Sequence, residues 1–322
     1  MKFPTERKLT YATGAISNGN FARVGNVCIP KDLSIVNRRG YDMTTQAGVP
    51  LIYKVAVHWY PGGLDGSGYV VNTSTDVRTT VKFMTVPNTW VSKNAGIAWH
   101  KARLAGMKRH GITKKMMGAY AKTIRYELEG SSTTWLDPVD ANSSAYSGGT
   151  WDSTEVFNSI DENGFKLRLL GNGNDEDSVL VDTDINAIFS YMQSRSTVPA
   201  DSNLESSSVP SVYGMLKSTE LGSDADTDES RYLKTNVRGA QDNPPYEAFD
   251  GATLEHDITE PSEASRLVMY PAAQSGVITT IFEAPYGVFA INAANRDPDD
   301  NSGVVDDMSF SVEVLGIYEM QG

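Results

Sequence analysis

An all-β sandwich is the fold class this sequence predicts, on three observations. Apolar residues recur at every second position in several short stretches. Those stretches are rich in β-branched and aromatic residues and end at Pro, Gly, Asn or Asp clusters. Long segments with a helical period are scarce.

The elements follow in chain order. "KDLSIVNRRGYDMTT" (31–45) predicts weak strands near the start. In "LIYKVAVHWY" (51–60), Leu51, Tyr53, Val55, Val57 and Trp59 fall on one face and Lys54 and His58 on the other. That alternation predicts a half-buried strand. "PGGLDGSG" (61–68) is a loop, because Pro and repeated Gly do not continue a ladder. "VRTTVKFMTV" (77–86) is the next strand, ended by Pro87-Asn88. Residues 92–121 form a short helical insertion. Ser92 is its candidate cap, and Gly106, Gly111 and Gly118 weaken it. Within 112–122, Ile112, Met116 and Tyr120 share one helical face.

"KTIRYEL" (122–128) and "FKLRLLG" (165–171) read as strands, and "DTDINAIFSYMQSR" (182–195) as a second short helix capped by Asp182 or Asp184. From 196 to 265 Ser, Asp, Glu and Pro dominate, which predicts a polar, acidic surface loop excursion with little to bury. "RLVMY" (266–270) is a strand, and "GVITTIFEAPYGVFAIN" (276–292) is two strands around a Pro-Tyr-Gly turn. "MSFSVEVLGIY" (308–318) alternates Met308, Phe310, Val312 and Val314 against Ser309, Ser311 and Glu313.

At 322 residues, 40% hydrophobic and 21% charged, the chain can bury a large core. No apolar run is long enough to span a bilayer, and the start has no apolar signal-like region. On that reading the triplets at Asn72 and Asn142 are chance matches to the glycosylation signal. Cys28, the single cysteine, excludes an internal disulfide and reads as a small buried apolar residue.

Candidate chemistry is sparse. His58, His100, His110 and His256 show no metal-ligand spacing. Asp224, Asp226 and Asp228 begin like a calcium loop, but Glu229 occupies the glycine position and Thr235 the final ligand position. Asp297, Asp299, Asp300 and Asn301 fail in the same way, with Ser302 and Met308 at those positions. Phosphate-loop, nucleophile-elbow and dinucleotide motifs are absent. No cofactor is expected, and no catalytic residue is assigned.

One feature stands apart. The chain carries a net charge of -12, yet Lys93, Lys101, Arg103, Lys108, Arg109, Lys114, Lys115, Lys122 and Arg125 fall in one run without an Asp or Glu. A solvated helix face balanced from elsewhere is the plain reading. The sharper one is a surface for a polyanion, bound through phosphates without sequence readout. Its candidate nucleic-acid contacts are Lys101, Arg103, Lys108, Arg109, Lys114, Lys115, Lys122 and Arg125. Trp99 and Tyr120, lying among the charges, are the candidates for stacking on unpaired bases.

Three passages, "VPNTWVSKNAGIAWHKARLAGMKRHGITKKMMGAYAKTIRYEL" (86–128), "DNPPYEAFDG" (242–251) and "TTIFEAPYGVFAI" (279–291), resemble capsid proteins of environmental small circular single-stranded DNA viruses. The resemblance implies a viral jelly-roll sandwich over residues 1–322, with the strand tally nearer one elaborated jelly roll than a double one. It implies subunits that self-associate into an icosahedral virion shell, assembled in the host cell around a packaged genome. Many such proteins start with a long Arg-rich arm. Here only Lys2, Arg7 and Lys8 are present, with Glu6 among them. Either the basic run replaces the arm or an internal lipid membrane lies beneath the shell. Two rival readings keep the β architecture: a carbohydrate-binding or adhesion module, and a polysaccharide-active enzyme with an acid pair in a cleft. Trp59, Trp90, Trp99, Trp135 and Trp151 would supply sugar platforms in either.

Overall fold

The computed structural model describes residues 4–13, 22–60, 63–64, 70–71, 78–118, 122–129, 135–140, 142–146, 151, 154–157, 164–171, 184–193, 261–269, 278–296 and 309–321. Eight strands build two four-stranded antiparallel sheets. The first sheet has the order β1 (Lys8–Ala12), β13 (Ser309–Glu319), β3 (Leu51–Tyr60), β11 (Ile278–Pro285). The second has the order β10 (Ser262–Met269), β6 (Arg78–Thr85), β12 (Val288–Arg296), β2 (Ala22–Cys28).

The pairing is nested. Among these eight strands taken along the chain, the first pairs with the eighth and the second with the seventh. The third pairs with the sixth and the fourth with the fifth. The pairs β13–β3 and β12–β6 then join these units into sheets. The chain therefore changes sheet at every connection except the one from β6 to β10.

One hydrophobic cluster draws on both sheets and holds them face to face. Trp59 of β3 stacks on Phe310 of β13 at 5.2 Å, and Tyr11 of β1 stacks on the same ring at 4.9 Å. Phe83 of β6, in the opposite sheet, meets Trp59 edge-on at 6.3 Å. Phe83 also packs on Phe282 and Phe289. The apolar face expected in β3 is buried at Leu51, Tyr53, Val55, Val57 and Trp59; on the other face Lys54 is exposed and His58 half-buried, but Ile52 and Ala56 are buried as well.

Burial in β12 separates a third layer from this core. Phe289, Ile291 and Ala293 enter the sandwich cluster, whereas Val288 and Ala290 enter a second cluster on the other side of their sheet. Successive strand residues point to opposite faces, so the second sheet is covered on both. Its outer cover comes from the long connection between β6 and β10. That connection holds α2 (Trp90–Arg109), β7 (Glu155–Phe157), β8 (Gly164–Arg168), β9 (Asp184–Asn186) and α3 (Ala187–Gln193). The strands β7, β8 and β9 form a small sheet whose β8–β9 pair is parallel. A two-stranded pair, β4 (Gly63–Leu64) with β5 (Val70–Val71), interrupts the predicted loop after β3.

The turn between β11 and β12, which carries the chain from the first sheet to the second, anchors this layer. Gly287 N–H donates to Ala284 O at 3.0 Å, closing a turn with Pro285 and Tyr286 at its centre, and Tyr286 and Gly287 have φ of 59° and 71°. A Cβ at Gly287 would come 2.6 Å from Pro30 Cδ, so glycine also permits the close approach of α1 (Ile29–Asn37). Tyr286 is not glycine and its left-handed backbone is held in place: its N–H donates to Leu51 O at 2.7 Å and its hydroxyl to Ser92 O at 2.7 Å.

Several expectations need correction. The stretch 31–45, expected as weak strands, is helix up to Asn37 and then turns with one bridge at Thr44: α1 carries Pro30 at its start, Asp32 in its first turn and buried Ile29 and Leu33 four residues apart. The β-branched Ile35 and Val36 gave the misleading strand signal. The helix within 92–121 runs only from Trp90 to Arg109, and Thr89, rather than Ser92, is the cap, its hydroxyl accepting from Ser92 N at 3.3 Å. Residues 110–118 are turns instead of a continued helix. Residues 122–128 make a single bridge from Glu127 to Arg168 rather than a strand. In 182–195 the helix is only α3, and Asp184 belongs to the preceding strand β9. Of the 196–265 excursion, Ser262 to Ser265 lie in β10; residues before 261 fall outside the described set.

Candidate polyanion interface

The first three turns of α2 are built to pack. Val91, Ala95, Trp99 and Ala102 are buried at helical spacing, with Ser92 and Gly96 beside them. A Cβ on Gly96 would lie 2.5 Å from the Tyr286 hydroxyl, so a side chain there would push the helix off the β11–β12 turn. Small residues let the helix backbone approach the sheet, and hydropathy alone does not register them as a buried stripe.

Beyond Ala102 the character changes. No residue from 103 to 118 is buried. Lys101, Lys108, Lys114 and Lys115 are exposed, as is Lys122 further on, and among the described residues no carboxylate pairs with any of these five. Arg103 and Arg109 are half-buried. Lys114 and Arg103 both lie within electrostatic reach of His100, so the turns after α2 fold back beside the helix. Burial lowers the pKa of His100, and those two cations lower it further, which leaves His100 outside the set of charged contacts at neutral pH. Arg125 is half-buried with its guanidinium 4.7 Å from the Trp151 ring centroid, in cation–π geometry.

The stacking assignments need revision. Trp99 is 1% exposed and sits in the cluster beneath α2, so it presents no face to a base. Tyr120 lies outside the described residues. The aromatic rings that do approach the basic surface are Trp135 and Trp151, both half-exposed, which line a small cleft with Lys31, Arg125, Tyr126 and Glu127. Nothing in the local sequence places 135 and 151 beside 125; only the packing of separate segments does.

Other candidates resolve plainly. Cys28 is buried and burial pushes its thiol pKa up to about 12, which leaves it protonated and unreactive. His58 Nδ1 lies 2.8 Å from Thr279 Oγ1, and its Nε2 lies 3.5 Å from Glu313, both on neighbouring strands. Among the described residues no group of three or more His, Cys, Asp or Glu could hold a metal ion, and no helix is long and apolar enough to cross a membrane.

No family model, curated protein or solved structure matches this chain.

Proposed function

We propose that this chain is a jelly-roll capsid subunit that self-assembles into a closed icosahedral shell around a nucleic-acid genome. The observation that carries the reading is the nested pairing of eight strands, first with eighth through fourth with fifth. A long antiparallel hairpin rolled into two sheets has that order, and it is the order of a jelly roll, an architecture used by viral capsid and lectin domains alike. The lateral position of the charge then favours a container over a lectin. Lys101, Lys108, Lys114 and Lys115 project from the cover of one sheet, on a chain of net charge -12. A subunit with one cationic side turns that side to an enclosed polyanion and its acidic surfaces elsewhere. Like surfaces then repel in the wrong orientation. Contacts to phosphate are sequence-blind and salt-sensitive, as packaging requires.

Particle size tests the class. Expressed protein viewed by negative-stain microscopy is expected to give uniform shells; a monomer that persists across salt and pH refutes the reading. Charge reversal tests the polarity. Replacing Lys108, Arg109, Lys114 and Lys115 by Glu is expected to strip most co-purifying nucleic acid, read as the 260/280 nm absorbance ratio, with circular dichroism unchanged. Retained nucleic acid would remove the role given to this surface.

One observation favours a second reading, the carbohydrate-binding module: two tryptophans and Glu127 share the cleft. It predicts a monomer retained on a glycan array, with retention lost in Trp151→Ala.

A further inference from the structure

The outer faces of the two sheets differ. The second sheet carries an apolar layer there, shared with α2, β8 and α3. Among the described residues, none on the outer face of the first sheet belongs to either hydrophobic cluster. Yet Ile281 of β11 stands on that face 56% exposed, with Leu315 at the β13 bulge and Tyr318 also exposed. We infer that this face is a two-fold contact with a second copy of the chain, centred between β3 and β11. The inference rests on the shell reading and names the surface through which subunits first pair.

Register makes the face complementary to itself. Ile281 lies opposite Ala56, and in the next outward row Glu283 lies opposite Lys54. A two-fold axis parallel to the strands, between β3 and β11, sets β3 of each copy over β11 of the other, in aligned sheet packing. Ile281 then covers the small Ala56 of the second copy, and Lys54 meets Glu283 of the second copy. Both contacts occur twice. Lys54 and Glu283 are exposed, and no ion pair forms with either among the described residues. Glu283 accepts from the Tyr318 hydroxyl, which holds it on this face with acceptor capacity to spare.

Charge balance selects the same face. Each chain carries a net charge of -12, so two copies repel through most of their surfaces. Here Lys8 and Lys54 offset Glu283 and Glu313, two against two. The direction of the axis also fits the cationic surface. The helix α2 crosses the end of the sandwich that holds the β11–β12 turn, with Gly96 beside Tyr286 and Pro50 and with His100 against Gly48. An axis along the strands points that end the same way in both copies, so both cationic surfaces face one side.

Analytical ultracentrifugation of the full chain tests the contact. The parent is expected to populate a dimer ahead of larger assemblies. Lys54→Glu and Glu283→Lys each set like charges across the contact, and each is expected to weaken dimerisation at least ten-fold. A one-to-one mixture of the two variants is expected to restore it, because every cross-contact in the mixed pair joins opposite charges. Like charges remain within each variant chain, so rescue on mixing reports the contact between copies and not the fold. Ile281→Ser, at an exposed position, is expected to weaken the dimer with Tm unchanged. Dimerisation of all three variants equal to the parent's, or charge variants that mixing does not rescue, overturns the proposal. Shells that form from the variants as readily as from the parent refute this contact and leave the shell reading standing. A dimer rescued by mixing that never closes into particles keeps the contact and refutes the shell. A parent that stays monomeric refutes both.

Discussion

Trp59→Ala is expected to destabilise the protein by about 3–5 kcal/mol, the range for truncating a large buried aromatic. The ring is fully buried at the centre of the sandwich. It stacks on Phe310 of the neighbouring strand and meets Phe83 of the opposite sheet edge-on, so its removal opens a cavity between both sheets. The gap cannot close readily, because Phe310 is also stacked on Tyr11 and Phe83 on Phe282. Total stabilities of domains are only ~5–15 kcal/mol, so the variant should lose much of its margin and, with it, assembly. Denaturant unfolding reads the loss as a fall in midpoint at constant slope. Trp59→Phe keeps an aromatic stack and removes a buried indole N–H that has no partner among the described residues, so its loss should be clearly smaller. Equal losses in both variants would mean that the stack is not what holds the sheets.

Asp32 should make stability fall as pH rises from about 4 to about 7. The residue is fully buried, its Oδ2 accepts from the Tyr11 hydroxyl at 2.6 Å, and its Oδ1 has no hydrogen-bond partner among the described residues. Burial raises its pKa to about 7, and nearby Asp137 raises it slightly; the Tyr11 bond and Lys31 act against this without prevailing. The folded protein therefore keeps a proton up to about pH 7 that the unfolded chain releases near pH 4. Across that window the folded state binds more protons, so the stabilisation present below pH 4 is lost on passing through pH 7. At 1.36 kcal/mol per pH unit the loss is on the order of 4 kcal/mol. Asp32→Asn stays neutral throughout, and its side-chain carbonyl still accepts from Tyr11. It should abolish this slope and be the more stable protein at pH 8. His100, whose pKa is lowered, acts in the opposite sense, so the difference between parent and variant across pH is the readout. Parallel curves from pH 4 to 8 would show that Asp32 ionises as freely in the fold as outside it.

Legibility from sequence followed a physical division. Strands such as β3, β6 and β13 were readable because an apolar residue recurs at every second position, although Ile52, Ala56, Ser309 and Ser311 on the opposite faces of β3 and β13 are buried as well. The strands β11 and β12 were readable for the same reason, with Pro285-Tyr286-Gly287 marking the turn between them. The α2 helix was half readable. Its buried stripe uses Ala, Gly and Ser to let backbones touch, and hydropathy does not register close approach. The buried position of Trp99 followed from that stripe and misled the search for a stacking residue. The cationic run was legible as charge, and the exposed lysines at 101, 108, 114, 115 and 122 lie where solvent reaches them. The cleft was not legible, since it joins Lys31, Arg125, Trp135 and Trp151 from separate segments.

By itself, then, the sequence determined the local facts: strands with one apolar face, a Pro-Tyr-Gly turn, a single unreactive cysteine, and a cation run without counter-charge. Each depends on residues a few positions apart, whose chemistry the backbone period projects onto one side. Only the tertiary structure decided which strand pairs with which, that the long β6–β10 connection covers the second sheet, and that Lys31, Arg125, Trp135 and Trp151 line one cleft. Those outcomes depend on contacts distant in the chain, chosen by burial of the whole apolar surface at once, and no short window of sequence encodes them.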